Sequence, residues 1–323
     1  MGLLQAGKWV DQWYETASTG GHFVRKSSSF RSWITPDGSA GPTGESGFKA
    51  EHERYHLYVS LACPWAHRAL IMRAQKGLEE AISISVVHWF MAGDGWTFAD
   101  GPGVIKDPVH NARFLYQIYT AAQADYSGRV TVPILWDKKT GTIVSNESSE
   151  IMRMFGSAFD QVGALPGDSY PIEQRSEIDE INERVYTTLN NGVYRAGFAT
   201  SQAAYEESVT PLFDTLNWLE DKLGRARFLL GTTITEADWR LFTTLIRFDA
   251  VYFSHFKCNL RRIIDYPNLS GYVRDLYQQP GVAATVSLHH IKNHYFGSHD
   301  SINPTRIVPL GPALDFLTPH NRA

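Results

Sequence analysis

One short run does most to limit what this chain can fold into. A strand-like stretch, His56, Leu57, Tyr58 and Val59, passes through Ser60, Leu61 and Ala62 into Cys63 and Pro64, and a helical stretch over 65–76 ends at Gly77. Proline is favoured at the first helical position, where no amide hydrogen is needed, so Cys63 falls at or beside the helix N-cap. A second strand pattern over 82–89 (Ile82, Ile84, Val86, Val87, Trp89) completes a βαβ unit. Its two strands are expected to run parallel with a right-handed crossover. Two further apolar runs, 132–136 and 142–144, flank the turn Asp137, Lys138, Lys139, Thr140, Gly141 and read as an antiparallel hairpin, with a helix over 147–155 behind it.

The order β-α-β then β-β-α is the thioredoxin-like arrangement. Residues 90–128, with Gly93, Gly95, Gly101, Pro102, Gly103 and Pro108 and an apolar helical patch over 114–122, look like a long insertion into it. Beyond the Gly and Pro punctuation of 163–171, the pattern changes to amphipathic helices over 172–191, 201–223, 236–256 and 267–278. Thr235 and Asp238 form a capping-box signature at the start of the third. The stretch before residue 50 is rich in Gly, Ser and Thr and carries Trp9, Trp13 and Trp33, as an extended arm docking by its aromatics would. The expected division is an arm over 1–50, a thioredoxin-like domain over 51–165, and an all-helical domain over 166–323.

Composition narrows the function classes. A chain of 323 residues is long enough for about two domains with cores that need no disulfide or metal staples. With 30 Lys and Arg against 34 Asp and Glu, no basic face for nucleic acid is expected, and 43% hydrophobic residues argue against disorder. No run reaches the ~18 apolar residues of a membrane span, and the first residues lack a charged start and apolar core, so a cytoplasmic protein is expected. Two cysteines make no disulfide framework, and each must be weighed singly.

Cys63 has the better position. Helix N-terminal amides favour a thiolate. At a thiol's ordinary pKa of ~8.5 about 3% is ionised at pH 7, against about 90% for a pKa near 6. The tetrapeptide Cys63, Pro64, Trp65, Ala66 has no second thiol in its last place, so a mixed disulfide formed here must be resolved from outside, with glutathione as the obvious thiol. Val132-Pro133 sits where such folds place a cis proline, and Asn146, Glu147, Ser148 opens a helix whose amides suit a small carboxylate. Cys258, in Phe256, Lys257, Cys258, Asn259, Leu260, reads as packing. His290 and His294 have i,i+4 spacing but no general-base Glu between them, and read as exposed helical histidines. No phosphate-cradling glycine loop or dinucleotide fingerprint is present, and neither metal nor nucleotide is expected.

The runs Tyr58 to Arg68, Gly95 to Phe98, Thr131 to Trp136 and Asn146 to Ile151, with Leu189 to Tyr194 and the block from Thr235 to Tyr252, resemble the glutathionyl-hydroquinone reductases, the Xi class of glutathione transferases. The resemblance covers essentially the whole chain. It implies a glutathione-transferase-like fold, an α/β thioredoxin-like domain followed by an all-α domain, and a homodimer using glutathione as co-substrate. Carried over by motif, Trp96 packs over glutathione, Arg129 with Val130, Thr131 and Val132 holds its carboxylate and cysteinyl portion, and Glu147 with Ser148 takes the γ-glutamyl end. Tyr194, Tyr252 and Tyr295 match the substrate-pocket tyrosines, Tyr194 acting with Cys63 in catalysis. On residues alone, Trp96 also fits a core indole and Arg129 a solvated loop charge, and the three tyrosines read as structural residues of amphipathic helices. The implied reaction is reductive removal of glutathione from a glutathionyl-hydroquinone. The alternatives are a general glutathione-dependent thiol transferase or dehydroascorbate reductase using the same cysteine, and a noncatalytic binding module on the same fold.

Overall fold

The computed structural model describes residues 2–322. Their contacts form two compact units: one of residues 2–13, 27–167 and 284–294, the other of 14–26, 168–283 and 295–322. The arm is thus divided between the units instead of standing apart, and 284–294 groups with the first.

In the first unit, β1 (Leu3–Gln5) and β2 (Lys8–Val10) make a small hairpin. β3 (Tyr55–Val59), α1 (Pro64–Gln75) and β4 (Ile82–Val86) form the expected βαβ unit, with Leu57 opposite Ile84 in parallel register. The insertion contributes α2 (Tyr116–Ala122) and a two-residue β5 (Gly128–Arg129), which pairs with β1. β6 (Ile134–Asp137) and β7 (Thr142–Ser145) are the hairpin, and α3 (Ser148–Ser157) follows and packs with α1. The main sheet runs β4-β3-β6-β7, so every residue of β3 lies in its interior and is buried. This explains a central strand with no polar alternation. The one polar member, His56, has a serine at each ring nitrogen, Ser83 at 2.7 Å and Ser85 at 2.8 Å. Burial lowers its pKa to about 4 and keeps it neutral.

The arm is more structured than its composition indicates. Trp9 stacks on Tyr116 at 5.1 Å and donates to the Gly93 carbonyl at 2.8 Å, as docking by aromatics requires, but the β1–β2 strands have no counterpart in the sequence pattern. They are three residues each, too short for period-two alternation to register. Further on, residues 30–32 run beside β7, with the Ser32 amide donating to Val144 and the Asn146 amide to Phe30.

The end of β6 anchors the loop before β3. Asp137, fully buried, accepts from Arg54 Nε at 2.9 Å and Nη2 at 2.6 Å, and from Thr140 and the Lys139 amide. Burial works to raise this carboxyl's pKa, but these hydrogen bonds outweigh it and hold the group below its ordinary value. A depressed carboxyl contributes stability that is in place above pH 3.8 and lost as pH falls through the lower folded value. Asp137→Asn should therefore lower Tm at neutral pH and flatten its decline below pH 3.8, measured by thermal melts across pH.

The second unit is helical: α4 (Arg175–Val185), α5 (Gly192–Gly197), α6 (Gln202–Leu223), α7 (Glu236–Arg247) and α8 (Pro267–Tyr277). The last helix, α9 (Leu288–Ser298), has residues in both units. The helices expected as continuous over 172–191 and 236–256 instead pass into π-helical turns at Tyr186–Asn190 and Phe248–Tyr252. A π turn adds one residue without changing the apolar period enough to show in sequence, and such turns concentrate at functional sites. Among the described residues, no helix is long and apolar enough to cross a membrane.

Candidate active site

Cys63 is the N-cap of α1, with extended backbone (φ -78°, ψ 121°), and Pro64 opens the helix. Its carbonyl accepts the first helical hydrogen bond, from the His67 amide at 3.0 Å. The side chain is partly exposed, and Sγ lies 3.6 Å from the Val132 carbonyl oxygen. The Val132–Pro133 bond is cis. Two signals 69 residues apart in sequence therefore meet at one end of the sheet. Cys63 is not in a disulfide, and Ala66 is buried in the place a resolving thiol would need. Cys258 is fully buried, and burial pushes its thiol far up, which bears out a packing role.

The second part of the site is the start of α3. Glu147 is its N-cap; Oε1 accepts from the Ser149 amide at 3.1 Å and hydroxyl at 2.8 Å, and Oε2 from the Ser28 hydroxyl at 3.0 Å. Burial works to raise its pKa, but these hydrogen bonds, with the nearby Arg68 charge, hold it below the ordinary value, so it is an anion at neutral pH. Arg68 is itself buried, 4.6 Å over the Trp65 ring, with Nη1 3.4 Å from the Ser148 hydroxyl. A carboxylate beside a helix N-terminus presents a receptor for an ammonium next to donors for a carboxylate, the two charges of a free α-amino acid end.

Gly95, at φ 71°, turns the chain into Trp96; a Cβ there would come within 2.6 Å of the Trp9 ring. Trp96 is only 4% exposed and stacks on His294 at 4.7 Å. Arg129 donates to the Gln12 carbonyl and, at 2.9 Å, to that of Trp13, so its guanidinium is seated against the N-terminal arm. Val130 and Val132 are buried and Thr131 is partly exposed, with its carbonyl accepting from Tyr119 at 3.0 Å. The reading of His290 and His294 as exposed is wrong. Both are buried, at 1% and 6%, because each spends a ring nitrogen on a backbone carbonyl, Pro102 and Trp89, at 2.8 Å.

In the second unit the three tyrosines converge. Tyr295 Oη lies 2.5 Å from Tyr194 Oη and 3.0 Å from Tyr252 Oη. Burial raises the Tyr252 and Tyr295 phenols well above their ordinary value, keeping both protonated. Either hydroxyl of each pair can donate, so the three phenols form one hydrogen-bonded chain in which each bond polarises the next. Arg25 adds a cation 5.3 Å from the Tyr194 ring centre. Phe256 stacks on Tyr252 at 5.5 Å and reaches this position because residue 197 is glycine; a Cβ there would stand 2.2 Å from the Phe256 ring.

Comparison with known proteins identifies the family of the chain. Residues 62–158 match the glutathione S-transferase N-terminal domain and 202–275 its C-terminal domain. The glutathionyl-hydroquinone reductase YqjG of Escherichia coli is 59% identical over 100% of this chain and 98% of its own. The chain belongs to that family, the Xi class of glutathione transferases. The glutathionyl-hydroquinone reductase PcpF of Sphingobium chlorophenolicum is 60% identical over 97% of each chain. The glutathione-bound structure of YqjG superposes with a TM-score of 0.92, at 56% identity over 99% of this chain and 98% of that one. The Xi-class transferase of Natrialba magadii gives a TM-score of 0.91 at 46% identity, over 100% of this chain and 96% of its own. The family's two-part fold, an α/β N-terminal part and a helical C-terminal part, is the one expected from sequence.

Proposed function

We propose that the protein is a glutathionyl-hydroquinone reductase that releases hydroquinone from its glutathione conjugate through a Cys63–glutathione mixed disulfide. The observation that carries this is a single thiol at a helix N-cap, with Ala66 in the resolving position, in a chain about 60% identical to two such reductases. Cys63 thiolate attacks the sulfur that joins glutathione to the ring. The carbon–sulfur bond breaks, its electron pair goes to the aromatic, and a proton from Tyr194 completes the hydroquinone. A second glutathione thiolate then attacks the mixed disulfide, releasing glutathione disulfide and regenerating Cys63.

Glutathione is placed with its γ-glutamyl ammonium on Glu147 and its adjoining carboxylate on Ser148 and the α3 amides. Its cysteinyl backbone lies against Val130, Thr131 and Val132 beside Cys63, with Arg129 near its carboxylate and Trp96 covering it. Tyr252 and Tyr295 support Tyr194 and line the space for the flat aromatic. A homodimer belongs to the same reading and is tested by light scattering.

The test supplies glutathione and a glutathionyl-hydroquinone to the purified protein and follows free hydroquinone and glutathione disulfide. One of each per turnover, with parallel double-reciprocal lines, is expected. Reduction of small disulfides or dehydroascorbate with no hydroquinone release would shift the assignment to a general thiol transferase. Tyr194→Phe should slow hydroquinone release by about 100-fold, the lower end of what a positioned general acid contributes, with a smaller effect on glutathione KM.

A further inference from the structure

The N-terminal arm contacts both of the charged residues assigned to glutathione. The Gln12 and Trp13 carbonyls hold the Arg129 guanidinium. At the other end, the Ser28 hydroxyl donates to Glu147 Oε2 at 3.0 Å, and it lies 3.3 Å from the Asn146 carbonyl. Ser28 is itself held in place. Two residues on, the Phe30 amide donates to Asn146 Oδ1 at 3.1 Å and the Asn146 amide returns to Phe30; Arg31 then pairs with Glu150, and the Ser32 amide bonds Val144. Asn146 is fixed from behind by its Nδ2 bond to Tyr119 Oη at 3.1 Å. The segment is thus laced to the four residues around the α3 N-cap, and its one side-chain bond to Glu147 fixes a carboxylate oxygen.

A half-buried carboxylate that must meet an ammonium gains from having its rotamer set in advance, because the ligand then need not order it. Ser149 fixes Oε1 from within α3, whereas Ser28 fixes Oε2 from outside. We infer that Ser28 is a positioning residue for glutathione, holding the Glu147 carboxylate aimed at the γ-glutamyl ammonium. The inference rests on the assignment of Glu147 to that ammonium.

Three proteins separate the outcomes: wild type, Ser28→Ala and Ser28→Thr, each titrated with glutathione by calorimetry across pH and assayed at varied glutathione. Ser28→Ala should weaken glutathione binding and raise its KM by about 3- to 10-fold, with a smaller change in kcat, the size of a typical net hydrogen bond, because the lost bond orients the receptor and does not touch the ligand. Its binding should also fail at a higher pH than wild type on the acid side, because a Glu147 stripped of one donor protonates sooner. Ser28→Thr, which keeps the hydroxyl, should restore both. An Ala variant with wild-type affinity and acid limb, or a Thr variant that fails as badly as Ala, overturns the inference. Absence of glutathione binding in the wild type overturns the Glu147 assignment as well, and is seen before any variant is compared.

Discussion

Cys63→Ala should reduce hydroquinone release by at least about a thousandfold, to the level of the uncatalysed exchange between glutathione and the conjugate. Losing a covalent nucleophile removes both half-reactions together, and such losses are commonly of this size or larger. Glutathione binding should survive, since its proposed contacts on Glu147, Ser148 and the 130–132 backbone do not pass through sulfur. Cys63→Ser tests the same point with less change in shape: a hydroxyl neither ionises near pH 7 nor exchanges with a thioether, so it should bind glutathione and release no hydroquinone. In the wild type, mixing with the conjugate without added glutathione should leave one glutathione on Cys63, detected by intact mass and removed by a reductant. Turnover that persists in the alanine protein would sink the covalent mechanism. A noncatalytic module would show no mixed disulfide and no difference between the proteins.

What was legible in the sequence was local. The Cys63 N-cap needed only a strand, Pro64 and a helical period, and the β6–β7 hairpin only two apolar runs around a polar turn. What the sequence could not show on its own residues was distance-spanning convergence. Tyr194 and Tyr295, 101 residues apart, look like ordinary helix residues until their hydroxyls are seen to touch, and only family resemblance marked them. Ser28 carries no signal in a Ser-rich arm, yet it reaches a carboxylate 119 residues away. The burial of His294 has no sequence signal because its partner, the Trp89 carbonyl 205 residues back, is invisible to composition, and a polar residue with no local partner reads as solvated. The two π turns escaped for a different reason, since one added residue blurs a helical period without breaking it.

Asp238→Ala should cost about 3 kcal/mol or more of stability, the largest effect expected of a substitution away from the active site. Asp238, fully buried, accepts from the Leu229 amide at 2.9 Å, the Thr235 amide at 2.8 Å, the Thr235 hydroxyl at 2.9 Å and the Tyr272 hydroxyl at 2.8 Å. The capping-box signature accounts for the Thr235 bonds, which fasten the start of α7 to the residue before it. The other two are tertiary: Leu229 lies in the preceding loop and Tyr272 on α8, so one carboxyl joins three segments of the helical unit. An ordinary N-cap loss costs about 1 kcal/mol. Here alanine would leave buried donors on Leu229, Thr235 and Tyr272 without their acceptor, at roughly 1–3 kcal/mol each before relaxation. At about 2–4 °C per kcal/mol for a unit of this size, Tm should fall by roughly 6–12 °C. Asp238→Asn keeps the shape and one acceptor oxygen, and should fall between alanine and wild type. Thr235→Ala removes only the hydroxyl, leaving the backbone acceptance by Asp238 intact, and should cost about 1 kcal/mol. If Asp238→Ala and Thr235→Ala melt at the same temperature, the tertiary bonds contribute nothing, and Asp238 is no more than a helix cap.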